Sequence, residues 1–101
     1  MKSFGDMVKQ AQKMQKQMAE LQEQLAEDRF EASAGGGAVT ASVDGKQMLR
    51  ELKLRPEALA DGDASMLEDL ILAAVGEAQR ASEQKMNESL SHLTGGFKLP
   101  F

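Results

Sequence analysis

Seven apolar residues near the start of the chain, Phe4, Met7, Ala11, Met14, Met18, Leu21 and Leu25, are spaced 3, 4, 3, 4, 3 and 4 apart. This is the a/d seam of a heptad repeat, sustained over three heptads. It commits the first quarter of the chain to a helix, predicted over about 3–27, whose apolar stripe has to lie against something. Ser3, with Asp6 three residues on, supplies a capping-box pattern at its start. Between the seam positions lie six glutamines, which favour helix over strand. In this register Lys2, Lys9 and Lys16 occupy f and Lys13 occupies c, on the face opposite the seam. Further along, the same face turns acidic with Glu20, Glu23 and Glu27.

The pattern then changes from helical to alternating. Phe30, Ala32 and Ala34 share one face of a strand predicted over about 29–34, and Val39, Ala41 and Val43 share one face of a second over about 38–43. Gly35-Gly36-Gly37 between them is a turn or bulge that needs positive φ. Asp44-Gly45 predicts a tight type I′ hairpin turn, because both of its central residues need positive φ. A third strand is expected over about 46–54, with Leu52 and Leu54 on one face. Pro56, which has no ladder donor, ends it. Three consecutive short strands with tight turns imply an antiparallel meander. Pro56 to Leu59 fits a single helical turn and Asp61-Gly62-Asp63 a loop. Ser65 and Glu68 suggest a second capping box, opening a helix over about 65–93 that Thr94-Gly95-Gly96 stops. Residues 94–101 form a short tail with Phe97, Pro100 and Phe101, either a free end or a strap over apolar surface.

The chain is therefore one α+β domain of order α-β-β-β-α with a small antiparallel three-stranded sheet. Its helices would run about 34 and 43 Å, whereas a six-residue strand reaches about 20 Å. The helices must overhang the sheet, and an overhanging seam beside open sheet edges favours a homodimer.

Composition removes most chemistry. The 101 residues contain no Cys, Trp or Tyr, and one histidine, His92. Disulfide frameworks, zinc fingers and thiol nucleophiles are excluded. No second histidine offers a metal pair, and Glu68-Asp69 sit where a helix N-terminus stabilises negative charge. The three glycines lie between two strands, without the following Gly-Lys-Ser or Gly-Lys-Thr of a phosphate loop. Neither catalytic, metal nor cofactor-binding residues are expected. Leu70 to Val75, the longest strongly apolar stretch, is far short of a membrane span, and no apolar segment of a secretory signal follows the N-terminus. Met7, Met14, Met18, Met66 and Met86 are read first as adaptable core fillers, with a client-binding groove as the alternative.

The net charge of -4 speaks against a nucleic-acid partner. Its distribution says otherwise. Residues 1–19 carry +3, residues 20–31 -4, residues 44–55 +2, residues 57–77 -6 and residues 80–101 +1. Fields decay over about 8 Å at physiological salt, so a local basic face acts despite an acidic total. Lys2, Lys9, Lys13 and Lys16 on one face suit DNA phosphates without base reading. Missing Tyr and Trp argue against stacking on single-stranded bases.

The chain also resembles a known family nearly end to end. The matching segments are Met7 to Gln15 in the first helix, Ala34 to Val39 at the first strand turn, Asp44-Gly45, Leu52 to Pro56, Met66 to Val75, and Leu93 to Gly96 with Leu99-Pro100. As an ordered set they identify it as similar to the YbaB/EbfC family of nucleoid-associated DNA-binding proteins. The resemblance implies a tweezer-like homodimer in which helices project from a joined β core. It implies binding of double-stranded DNA with little sequence preference, and an influence on nucleoid organisation and gene expression. It further implies a bacterial, cytoplasmic setting at the nucleoid, with no enzyme activity and no cofactor. No DNA-reading motif transfers residue by residue. The DNA-binding candidates Lys2, Lys9, Lys13, Lys16, Arg80 and Lys85 therefore rest on charge. Two alternatives stay open: a prefoldin-like helical-arm chaperone without DNA binding, and DNA binding in the service of a recombination or replication protein, with the acidic run Glu57 to Glu77 facing that partner.

Overall fold

A computed structural model describes residues 3–60 and 62–93. The elements run α1 (Phe4–Glu27), β1 (Phe30–Ala34), β2 (Val39–Val43), β3 (Leu49–Leu54), α2 (Pro56–Ala60) and α3 (Ala64–Leu93). The strands form an antiparallel sheet of order β1-β2-β3, as the alternation and turn residues predict. Lys2, Asp61 and the tail 94–101 lie outside the described residues.

α3 packs across β1 and β2 and leaves β3 largely uncovered. The core is correspondingly small. Val39 and Ala41 of β2 and Ala74 of α3 are fully buried, with Ala34, Leu54, Leu67, Leu70, Ile71 and Val75 around them. On the same sheet face Leu52 stands opposite Ala41 and Leu49 opposite Val43, yet both remain exposed, together with Met48. α3 begins one residue before the expected Ser65. Asp63, not Ser65, caps it: the Asp63 Oδ1 accepts the Met66 N–H at 3.0 Å. At the other long helix the expected cap is present, with the Ser3 hydroxyl accepting the Asp6 N–H at 3.2 Å.

The β2–β3 connection differs from the predicted type I′ hairpin. Neither Asp44 nor Gly45 has positive φ; the left-handed residue is Gln47, at φ 68°. β3 starts at Leu49, three residues later than expected, because Asp44 turns the intervening backbone on itself. Its Oδ1 accepts the N–H groups of Lys46 (2.8 Å) and Met48 (3.1 Å), and its Oδ2 accepts Arg50 Nε at 2.9 Å. A register shift between Ser42 and Val43 leaves Arg50 without a cross-strand partner and lets it reach Asp44. The residue is fully enclosed. The Ser82 hydroxyl of α3 donates to the Asp44 carbonyl at 2.7 Å, and Gln79 Nε2 donates to the Gln47 carbonyl at 3.2 Å. The Gly45 N–H donates to the Leu25 carbonyl at 2.7 Å. One turn thus joins the end of α1, the sheet and the middle of α3.

Burial pushes the Asp44 carboxyl up, but the N–H groups of Met48 and Lys46 and the Arg50 guanidinium outweigh it and hold its pKa below the ordinary 3.8. The folded form therefore binds a proton less readily than the unfolded chain. The stability this carboxylate contributes is complete above about pH 4 and drains away as pH falls through the lowered value. Thermal melts of the protein should lose midpoint steeply below about pH 4. In Asp44→Asn the midpoint should be lower at pH 7 and the acid-side fall shallower.

The same junction sets the direction of the long helices. α3 runs alongside β2, with Leu70 near Gly35 at one end and Ser82 at Asp44 at the other. It continues about 16 Å past Ser82. α1 departs from Gly45 with Leu25 buried against it and extends about 31 Å from there. Gln17, Met18 and Leu21 are half-buried, while every described residue from Ser3 to Lys16 is exposed. The molecule measures 69 × 23 × 16 Å with a radius of gyration of 19.3 Å, against about 13 Å for a compact domain of this length. The expected overhang is present, and it is largest for α1.

Candidate nucleic-acid interface

Helical phase places Lys9, Lys13 and Lys16 on one face of α1, within its projecting part. All three are exposed, and no ion pair among the described residues engages them. Their acidic successors Glu20, Glu23 and Glu27 lie nearer the sheet. Of the acidic block of residues 57–77, Glu57 lies on α2, Asp63 caps α3, and Glu68, Asp69 and Glu77 lie on the first half of α3, toward the far end of the sheet from the arm. Folding therefore converts alternating charge along the chain into a separation along the long axis, with cations on the arm and carboxylates at the opposite end. At about 8 Å screening length the two do not cancel.

The two α3 candidates do not form a second stripe. Arg80 and Lys85 are exposed and free of ion pairs among the described residues. Five residues apart, they point about 140° from one another around the helix. They can reach different phosphates but present no shared surface. Of the remaining cations, Arg50 is held by Asp44 and Lys53 by Glu51 at 3.0 Å. Arg55 leans over the glycine turn, its Nη1 donating to the Gly36 carbonyl at 3.4 Å. Lys46 is exposed at the root of α1, beside the acidic inner turns of that helix. Its signal in the sequence is the positive balance of residues 44–55, which does not single it out.

The methionines correct one expectation. Met7, Met14 and Met66 are exposed rather than core fillers, and only Met18 and Met86 are half-buried. Among the described residues, nothing covers the outer seam of the arm. The glycine turn matches its reading: Gly35, Gly36 and Gly37 all have positive φ. His92 is exposed on α3. No group of three or more His, Asp or Glu that could hold a metal occurs among the described residues. No described helix is long and apolar enough to cross a membrane.

Residues 1–97 match the model of the YbaB/EbfC DNA-binding family. A protein of Alkaliphilus metalliredigens named nucleoid-associated protein is 44% identical over 98 residues, covering 97% of this chain and 86% of the relative. One of Acetivibrio thermocellus, also named nucleoid-associated protein, is 47% identical over 94 residues, covering 93% and 83%. Among solved structures, an uncharacterized protein from Helicobacter pylori superposes with a TM-score of 0.86 at 20% identity, covering 94% of this chain and all of that one. At that identity the likeness is one of fold.

Proposed function

The chain belongs to the YbaB/EbfC DNA-binding family, and from that premise we propose that it is a nucleoid-associated protein that binds double-stranded DNA through the phosphate backbone with little sequence preference. It is not an enzyme. The observation that carries the reading is the stripe Lys9, Lys13 and Lys16 on the projecting part of α1, engaged by no ion pair among the described residues, which Lys2 extends in sequence. A helix face of ammonium groups offers point charges to phosphate and no fixed pattern of donors and acceptors to a base edge. Arg80 and Lys85 add positive charge near the arm. Binding of this kind, at the nucleoid, would influence DNA organisation and expression by occupancy. The acidic end of α3 stays away from the duplex and is free for a protein partner.

The active form is a homodimer. α3 leaves Leu49 and Leu52 of the edge strand β3 exposed on the face that elsewhere forms the core, with the exposed Met48 just before them. A second copy covering them removes that surface from water and brings a second arm to the same duplex. Leu52→Glu puts a charge at the centre of this patch. It should convert a dimer into a monomer in sedimentation experiments while leaving the helical circular dichroism in place.

A dimer engaging about 4–8 phosphates should lose affinity with salt, the slope of log affinity against log salt being about -4 to -7. Mobility shifts on two unrelated duplexes of equal length, across a salt series, measure this. Parallel lines for the two sequences support backbone binding. The absence of any shift at low salt rules the reading out, and suppression of client aggregation in its place would support a chaperone.

A further inference from the structure

The outer half of the α1 seam is uncovered among the described residues. Phe4 is 81% exposed, Met7 59% and Met14 44%, and Ala11 between them is exposed too. Toward the sheet, the same seam continues into Met18, Leu21 and Leu25, which become progressively buried where α1 meets α3 and Gly45. A stripe that is already a helix-packing surface along its inner turns thus continues uncovered to the tip. The flanks identify its partner. In two-helix packing the e and g residues border the seam and their charges select what binds. Here e and g from residue 8 to residue 24 are Val8, Gln10, Gln15, Gln17, Gln22 and Gln24. Not one is charged, although α1 carries seven charged residues, Asp6, Lys9, Lys13, Lys16, Glu20, Glu23 and Glu27. Every charge of the helix is confined to c and f, away from the seam. An identical helix would otherwise meet its own charges across the interface, and neutral borders remove that repulsion.

We propose that the outer seam of α1 packs antiparallel against the same segment of a second copy of this chain. Antiparallel overlap uses only the projecting tips. A parallel pair would have to bring the two sheets side by side and compete with α3 for the inner seam. Antiparallel packing sets a against d, and the four tip residues are symmetric about position 9: Phe4 meets Met14 of the other copy, and Met7 meets Ala11. The lysines remain on the outer face, so the contact leaves them available to phosphate. Four side chains from each copy bury much less than the roughly 800 Å² per partner of a stable interface. The contact is therefore weak and reversible, of the kind that links molecules already concentrated together. It uses a different surface from β3 and requires neither DNA nor the β3 pairing.

The chain has no cysteine, so single cysteines report the contact directly. Met7→Cys and Ala11→Cys proteins, mixed without DNA under mild oxidation, should form the mixed disulfide at least tenfold more than Gln12→Cys paired with either. The same excess should persist in the Leu52→Glu background, which separates this contact from the β3 dimer. Adding Met14→Glu should abolish it. If the mixed pair cross-links no better than the Gln12→Cys control, as it would were the seam occupied by residues 94–101 of its own chain, the proposal fails. It fails equally if 7–7 and 11–11 disulfides dominate, which would mean a parallel pair.

Discussion

Replacing Gly45 by valine is expected to release α1 from the rest of the protein. A Cβ at this position would lie 2.7 Å from the Leu25 carbonyl oxygen, 2.7 Å from Leu25 Cδ2 and 2.8 Å from Leu25 Cα. Two of those atoms are backbone, so no rotamer change relieves the overlap; the end of α1 must move. Moving it breaks the 2.7 Å bond from the Gly45 N–H to Leu25 and exposes Leu25, the only buried residue of α1. Burial of such a side chain contributes about 1.5–3 kcal/mol, and the hydrogen bond about 1 kcal/mol. A loss of about 3 kcal/mol corresponds to about 10–20 °C in melting temperature for a domain of this size. Gly45→Ala should already produce most of it, because the clash is made by Cβ itself. Calorimetry on both variants measures the loss. Gly36→Ala is the contrasting substitution: nothing lies within 4 Å of its Cβ, and its cost comes from positive φ alone, about 1 kcal/mol.

That turn also shows where the sequence is legible and where it is not. Local rules recover the element order, because the heptad spacing of α1, the alternation of Val39, Ala41 and Val43, and the stops at Gly35 to Gly37 and Pro56 act over a few residues each. They identify Asp44-Gly45 as a turn for the wrong reason. The aspartate is there to gather three donors, and the glycine to admit the backbone of Leu25, which is twenty residues away in sequence. Contacts of that range leave no periodic trace. The methionines fail in the same way: a seam position reads as core, but whether a second surface reaches it depends on how long the neighbouring helix is and where it leaves the sheet. The lysine stripe is visible in the heptad register. What the register does not show is that Lys9, Lys13 and Lys16 fall beyond the part of α1 that packs, or that Arg80 and Lys85 diverge. Asp63 displaces Ser65 as the cap of α3 because both are N-cap residue types, and two residues of helix extension decide between them.

The largest effect on binding is expected from reversing the arm. With Lys9, Lys13 and Lys16 changed together to Glu, each lost phosphate contact should lower affinity about eightfold at 0.1 M salt, so three lower it about 500-fold. In a dimer both arms change and duplex binding should disappear from a mobility-shift assay. These side chains are exposed and unpaired among the described residues. Surface substitutions of this kind usually shift stability by less than about 0.5 kcal/mol, so an unchanged melt would show that the lost binding is not lost folding. Reversing Lys53, Arg55 and Lys46 is the control of equal charge change. Lys53 is already neutralised by Glu51, Arg55 leans over the Gly36 carbonyl and Lys46 sits on the β2–β3 connection, all off the projecting part of α1, so affinity should fall by only a few-fold. A reversed arm that still binds duplex DNA would move the interface off α1. Equal losses from both variants would mean that total charge, rather than the placement of three lysines on a projecting helix, governs attraction to DNA. Only a large loss from the first with a small loss from the second assigns phosphate recognition to the arm.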